Sequence, residues 1–434
     1  MVDVVVVLTG ATAVGKTHAS LALAERLNGE IISADSVQVY TGLDIGSDKI
    51  PVDQRLGIPH HLIDVLPPHK EFSAGDFYRL ARQATRQVLQ RGRTPIVVGG
   101  TGFYLRWFVH GPPATPKSDE EGAVKAQSLL QQAWAAGTAA KGQELTAEEK
   151  WAVGVQQVEL AGDPAAAIKL QGEPNNYYRL GRVLEVVLRT GLPMADMALD
   201  ATAPLDYDFR CFFLNRPRLQ LYDRIALRCE SMLEGGLLEE AQQLLDSGIG
   251  PDQNTASRAI GYRQALQFLK RCHQQPDALT DESLVQLLRD IQTQSRKLCH
   301  RQLHWFRQDP MYRWLDATQS VPEVVDTIAA YLDMPQHQGG GAEAGVLSKE
   351  ELRQLKGYQP QLHRFCQPER LSSRHACAVT GLWRSPDPTK TRKAAPELVC
   401  KTQQFGSFNE LLNQSKVPIL VDFYAQWCGP CQAR

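Results

Sequence analysis

Gly10-Ala11-Thr12-Ala13-Val14-Gly15-Lys16-Thr17 fills every fixed position of the pattern G-x-x-x-x-G-K-[ST]. An apolar run at 4–8 precedes it and a helix-forming stretch at 19–27 follows, which is the strand–loop–helix setting the pattern needs. Glycines let the backbone fold its N–H groups around an anion, and the N-terminus of the following helix adds partial positive charge. Gly10, Ala11, Thr12, Ala13, Val14 and Gly15 are the wrapping backbone. Lys16 supplies a point charge for a terminal phosphate, and Thr17 a hydroxyl for Mg²⁺. The chain is expected to bind a phosphorylated ligand.

The identity of the ligand turns on a missing carboxylate. Enzymes that hydrolyse or transfer a nucleotide phosphate usually hold Mg²⁺ with an acid at the end of a later apolar strand. Here that strand, 95–98, ends in Gly99-Gly100-Thr101-Gly102-Phe103-Tyr104. The acid follows the second strand instead, in Asp35-Ser36-Val37-Gln38-Val39-Tyr40. The combination points to a diphosphate that is not hydrolysed for work.

A chain of 434 residues has room for about three domains. Its net charge of −1 gives no global signal for nucleic acid, so any RNA surface must be a local patch. No apolar run reaches membrane-spanning length, and a strand begins at once where a targeting peptide would lie, so no membrane partner is expected. Cytoplasm and organelle (plastid or mitochondrion) both stay open. Cys211, Cys229, Cys272 and Cys299 lie in apolar or helical stretches and read as buried thiols of a reducing compartment. Only Cys428 and Cys431 form a C-x-x-C.

The expected fold class is α/β: a parallel sheet of the P-loop type flanked by helices, with a helical insertion and a largely disordered C-terminal extension. Strands are expected at 4–8, 30–33, 95–98 and 209–214. Helices are expected at 16–28, 73–91, 102–109, 176–190, 218–247, 259–273 and 281–308. Residues 118–170 read as helical throughout. After Met334 the composition becomes that of a linker, and 346–400 reads as irregular.

Taken in order, several stretches resemble one family, the tRNA dimethylallyltransferases (tRNA isopentenyltransferases). They are 10–17; Asp35-Ser36-Val37-Gln38-Val39-Tyr40; Asp44-Ile45-Gly46-Ser47-Asp48-Lys49; Pro59-His60-His61-Leu62-Ile63-Asp64; and Val97-Val98-Gly99-Gly100-Thr101-Gly102-Phe103-Tyr104. Arg179-Leu180-Gly181-Arg182-Val183-Leu184-Glu185-Val186, Arg258-Ala259-Ile260-Gly261-Tyr262-Arg263 and 295–307 follow, and the likeness spans about 3–315. It implies transfer of a dimethylallyl group from dimethylallyl diphosphate to the exocyclic amine of the adenosine 3′ of a tRNA anticodon. Lys16, Thr17 with Mg²⁺, and Arg224 would neutralise the departing diphosphate, and Thr101 would contact its leaving oxygen. Asp35 would accept a hydrogen bond from the amine, whose lone pair is drawn into the adenine ring.

The same likeness implies core segments at 1–111 and 179–334 and a tRNA-contacting insertion at 112–178; composition sets the linker at 335–400. The anticodon stem-loop would meet Asp35, Ser36, Val37 and Gln38 at the target base, with the chain acting as a monomer. Arg179, Arg182, Arg258, Gly261, Tyr262, Arg263, Lys297 and Arg301 would contribute further contacts; Lys297, His300, Arg301 and His304 fall on one helical stripe. Competing readings are structural: Asp35-Ser36 as a helix cap, Arg224 as a solvated arginine, and 99–101 as a plain turn. His60-His61 lacks an acid or Cys at ligand spacing and reads as satisfied loop histidines. The sequence departs from the family pattern at Ala11, Ile50, Asn176, Tyr178 and His300, where Pro, Pro, Asp, Gln and Lys are usual.

Residues 417–431 resemble the strand and active-site turn of thioredoxins, with Cys428 as nucleophile and Cys431 resolving. At 401–434 the likeness covers an incomplete fragment, from which no working oxidoreductase is expected. The rival functions are a small-molecule P-loop kinase, an adenylate isopentenyltransferase acting on free AMP or ADP, and a carrier for the redox-like tail.

Overall fold

The computed structural model describes residues 2–172, 176–197, 205–334 and 349–360. In chain order its elements are β1 (Val4–Gly10), α1 (Lys16–Arg26), β2 (Gly29–Ser33), β3 (His60–His61), α2 (Ala74–Gln90), β4 (Thr94–Val98) and α3 (Gly102–His110). The helices α4 (Glu120–Lys141), α5 (Ala147–Leu160), α6 (Pro164–Gln171) and α7 (Tyr177–Thr190) follow. Then come β5 (Asp208–Asn215), α8 (Arg218–Gly235), α9 (Leu237–Asp246), α10 (Thr255–Arg258), α11 (Tyr262–Gln274), α12 (Asp281–Arg307), β6 (Tyr312–Asp316), α13 (Val321–Leu332) and α14 (Lys349–Lys356).

All strand pairs are parallel, in the order β3-β2-β4-β1-β5-β6. The unbroken run Val4-Val5-Val6-Val7-Leu8 suits a central strand covered by helices on both faces, where alternation would put polar groups in the core. Val5, Val6, Val7 and Leu8 are fully buried, as are Ile32, Ile96, Val97 and Phe213 on neighbouring strands. Because the strands run one way, the turns after β1, β2 and β4 all emerge at one edge. That is where ligands of such sheets bind.

The expected helix over 218–247 is two. Gly236, at φ +113°, ends α8 and starts α9, a conformation that costs glycine no Cβ clash. The elements not expected include β3, which puts His60 and His61 on a strand beside β2 rather than in a loop, together with β6 and α13. β6 reads Tyr-Arg-Trp-Leu-Asp and pairs with β5, and α13 begins with Ser320 and Glu323 in a capping box. Within the stretch expected to be irregular, Lys349–Lys356 is helical, and beyond it Tyr358 donates a hydrogen bond to Asp223 at 2.8 Å. The rest of the 335–400 linker, the thioredoxin-like segment 401–434 and its Cys428 and Cys431 lie outside the described residues.

The helices after α3 build a core of their own from Ala126, Leu130, Trp151, Val155, Val158 and Leu170, joined by Leu180, Val183, Leu184 and Val187 of α7. The expected boundary at 178/179 therefore moves. α7 packs on α4 and α5, so as a packing unit the insertion runs through Thr190. Glu185, also on α7, is 2 % exposed and is satisfied by Arg182, Arg189, Ser118 and the backbone of Asp119. Among the described residues no helix is long and apolar enough to cross a membrane.

Candidate active site

Three strand-end turns meet at the carboxyl edge of the sheet. Ala34 donates its N–H to Val98 at 2.7 Å, bringing the turn after β2 against the turn after β4. A Cβ on Gly99 would stand 2.1 Å from the Ala34 carbonyl oxygen, so only glycine allows this approach. The Thr9 hydroxyl donates to the Gly99 carbonyl at 2.7 Å, tying β1 to the same turn. Asp35, Lys16 and Thr101 therefore stand on adjoining turns.

The 10–17 loop precedes α1 as a phosphate-wrapping turn should. Gly15 takes a left-handed conformation at the helix N-terminus and leaves the first N–H groups of α1 uncapped by any side chain. Lys16 folds under the loop, donating to the carbonyls of Gly10 (2.9 Å) and Ala11 (3.0 Å). Burial, then the nearby Arg228, lowers its ammonium to about 8, against the opposing pull of Asp35. Arg224 is exposed on α8, as a solvated helix arginine would be, and it also reaches the loop, its Nε donating to Ala13 at 2.7 Å. Burial, then the positive charge of Arg218, His304 and Arg307, lowers His300, and burial with Arg218 lowers Arg307. These basic groups of α8 and α12 lie near one another.

Asp35 does cap its turn, since one carboxylate oxygen accepts the N–H groups of Val37 (2.8 Å) and Gln38 (3.2 Å). These bonds fix the direction of the carboxylate. Gln38 is held in turn by Ser33 and the carbonyls of Ser47 and Asp48. Ser36 and Val37 are partly exposed. Thr101 occupies the N-cap position of α3 without its side chain capping the helix, so that hydroxyl is not spent locally. Among the described residues no cluster of three His, Cys, Asp or Glu side chains could hold a metal ion. The donor set suits a cation held by one hydroxyl, Thr17 on the exposed first turn of α1, together with ligand phosphate oxygens.

The expected RNA residues divide. Lys297 and Arg301 are exposed on α12, and Arg179 is exposed on α7. Arg258 and Arg263 are also exposed, paired with Glu71 at 3.7 Å and Asp252 at 2.8 Å. Arg182 is spent inside the insertion on Glu185 and the Pro116 carbonyl. Tyr262 is a correction: it is fully buried, and its hydroxyl donates to Glu240 at 2.5 Å. Gly261 is buried too, at φ +95°. The Glu240 carboxylate also accepts the N–H groups of Asp44, Ile45 and Gly46, and Lys49 binds Asp44 and Asp64. A Cβ on Gly46 would meet the Tyr262 ring at 2.6 Å. The motifs at 44–49 and 258–263 are thus two halves of one latch. His61 bonds Glu30 at 2.7 Å and His60 the Ile58 carbonyl at 2.8 Å, satisfied histidines as expected. Asn176 keeps the cap of α7, accepting from the Arg179 N–H.

The sequence does not single out Glu240 or Gln302, although Gln302 falls within the 295–307 stretch of the family likeness. Gln302 accepts from the Thr12 N–H and donates to the Gly100 carbonyl, both at 2.9 Å.

Known proteins resemble this arrangement. The IPP transferase family model matches residues 38–309, and an isopentenyl transferase model matches 3–58. A thioredoxin model matches 399–433. The chain is 39% identical to "tRNA dimethylallyltransferase 9" of Arabidopsis thaliana, over 85% of this chain and 84% of that one. It is 38% identical to a tRNA dimethylallyltransferase of Protochlamydia amoebophila, over 74% and 86%. Among solved structures, a tRNA isopentenylpyrophosphate transferase from Bacillus halodurans is 34% identical with a TM-score of 0.52, covering 77% of this chain and 97% of that one. A eukaryotic dimethylallyltransferase acting on tRNA is 26% identical with a TM-score of 0.58, over 87% and 85%. The chain belongs to the IPP transferase family, and it is an enzyme of the prenyl-transferring class.

Proposed function

We propose that this enzyme transfers a dimethylallyl group from dimethylallyl diphosphate to the exocyclic amine, N6, of the adenosine 3′ of the anticodon in tRNA. The products are isopentenyladenosine and diphosphate. The observation that carries the reading is the convergence of Asp35, Lys16 and Thr101 on three adjoining turns, with Arg224 at the loop. A phosphate loop stands opposite a directed carboxylate, and the strand after which a hydrolytic acid is usual ends in Gly99-Gly100-Thr101.

In the reaction a bond forms between N6 and the allylic carbon, and the bond from that carbon to the diphosphate oxygen breaks. Lys16 and Arg224 stabilise the charge that develops on the diphosphate, and Thr101 donates to the departing oxygen. Mg²⁺, held by Thr17 and the diphosphate, would supply Lewis-acid neutralisation of the leaving group. Asp35 orients the amine by accepting a hydrogen bond and takes the proton that N6 loses, which then passes to solvent. The tRNA anticodon stem-loop would lie across Lys297 and Arg301 of α12, Arg258, Arg263 and the insertion, and the target base would leave its stack to reach Asp35.

The test is incubation with labelled dimethylallyl diphosphate and an unmodified tRNA, followed by digestion to nucleosides. Label in isopentenyladenosine is expected. No label in any tRNA nucleoside would sink the reading.

A further inference from the structure

The two turns that would grip the diphosphate belong to different strands, yet one side chain bonds to both. Gln302, on α12, is 8 % exposed. Its Oε1 accepts the Thr12 N–H of the 10–17 loop, 290 residues away in sequence, and its Nε2 donates to the Gly100 carbonyl beside Thr101. The fit is tight, because a Cβ on Gly100 would lie 2.4 Å from Nε2. Three residues further along, on the same face of α12, Trp305 lies against Gly102. The helix is thus fastened to the 99–102 turn twice and to the phosphate loop once.

The chemistry of the bridge is specific. One partner is a donor and the other an acceptor, so a neutral amide satisfies both at once. An ionised carboxylate can only accept, an ammonium can only donate, and a thioether does neither well. A buried Thr12 N–H and a partly buried Gly100 carbonyl, left unpaired, would draw the turns toward other partners.

We propose that Gln302 is a positioning residue. It sets the spacing between the 10–17 loop and Thr101 so that Lys16 and Thr101 converge on a single diphosphate. The inference rests on the reading above, in which that diphosphate belongs to the allylic donor. No catalytic contact is assigned to Gln302 itself, since both of its polar atoms are engaged with backbone.

The probe is inorganic diphosphate with Mg²⁺, its affinity measured by calorimetry, beside kcat and KM for dimethylallyl diphosphate and the melting temperature. Gln302→Met should weaken diphosphate binding about tenfold or more and lower kcat/KM for the donor about 10²-fold, the usual cost of a misplaced group. Gln302→Glu carries the sharper test. Protonated, the acid can still accept from Thr12 and donate to Gly100; ionised, it repels the Gly100 carbonyl. Burial raises the pKa of such an acid, so diphosphate affinity relative to wild type at each pH should recover as pH falls from about 8 to about 6. Wild type, measured in parallel, removes the titration of Lys16.

A role confined to holding the fold together would lower the melting temperature but leave the folded protein's diphosphate affinity within twofold of wild type. That result, or a Gln302→Glu profile parallel to wild type, would overturn the proposal. If Gln302→Met does not fold, the pH profile of Gln302→Glu decides alone. Wild type that binds diphosphate but transfers no prenyl group would refute the proposed function and leave this inference to be judged on binding.

Discussion

The carboxyl edge of the sheet and the helical insertion are ordered by different physical means. At the edge, polar side chains reach across the chain to backbone groups: Gln302 to Thr12 and Gly100, Glu240 to residues 44–46, Arg224 to Ala13. Glycine lets the turns approach more closely than any side chain would permit, most clearly at Gly99. The insertion relies on apolar burial around Trp151, Leu130 and Leu180, with the Glu185 cluster pinning α7 to the start of α4. Hydrogen-bonded turns tolerate little change because each donor has one acceptor in one direction. A hydrophobic cluster of this kind tolerates exchange as long as volume is kept. The contrast suits an edge that must hold a transition state and an insertion that need only present a surface.

The largest expected effect is at the edge. Asp35→Ala should reduce transfer about 10² to 10⁴-fold, the usual worth of a general base, while tRNA affinity survives. Single-turnover rates beside filter binding check this, and a loss of tRNA affinity with transfer unchanged would remove Asp35 from the chemistry. Lys16→Ala and Thr101→Ala come next, each expected to slow the chemical step about 10² to 10³-fold, Lys16 more because it carries full charge. The lowered Lys16 ammonium adds a pH dependence. It is protonated below about 8, so kcat/KM for the donor should fall as pH rises through that value and the positive charge is lost. A flat profile from pH 7 to 9, set against the about 8 of Lys16, would contradict the assignment.

Trp151→Ala should break the comparison in the other direction. Truncating a buried tryptophan costs about 3–5 kcal/mol. Here that loss should fall on the insertion and weaken tRNA binding while the affinity for inorganic diphosphate stays within about twofold. Equal loss of both would show that the two regions are one energetic unit. Tyr262→Phe is expected to be smallest, removing one buried hydrogen bond to Glu240 for about 1–2 kcal/mol of stability, read as a modest fall in melting temperature. A large, selective loss of tRNA affinity with unchanged stability would restore Tyr262 to the RNA surface.

What could be read from the sequence follows the same division. The 10–17 loop, its flanking strand and helix, and the turns at 35–40 and 99–101 were legible because local pattern and local chemistry agree there. Gln302 and Glu240 were not, since their partners are backbone groups 290 and about 195 residues away and leave no periodic trace. Tyr262 was misread because its place beside Arg258 and Arg263 suggested a surface, whereas Glu240 and Gly46 hold it in the core. The split of α8 from α9 did have a signal, the pair Gly235-Gly236. β6 is five residues long and mixes buried and half-exposed positions, so neither strand pattern marks it.

The central claim is that the sheet edge performs allyl transfer and that the acceptor is tRNA rather than a free nucleotide. The most direct measurement offers limiting labelled dimethylallyl diphosphate to a mixture of unmodified tRNA and excess AMP, and follows where the label goes. Label is expected in the tRNA, at the adenosine 3′ of the anticodon, with AMP unlabelled. Label accumulating in AMP while the tRNA stays unmodified would contradict it.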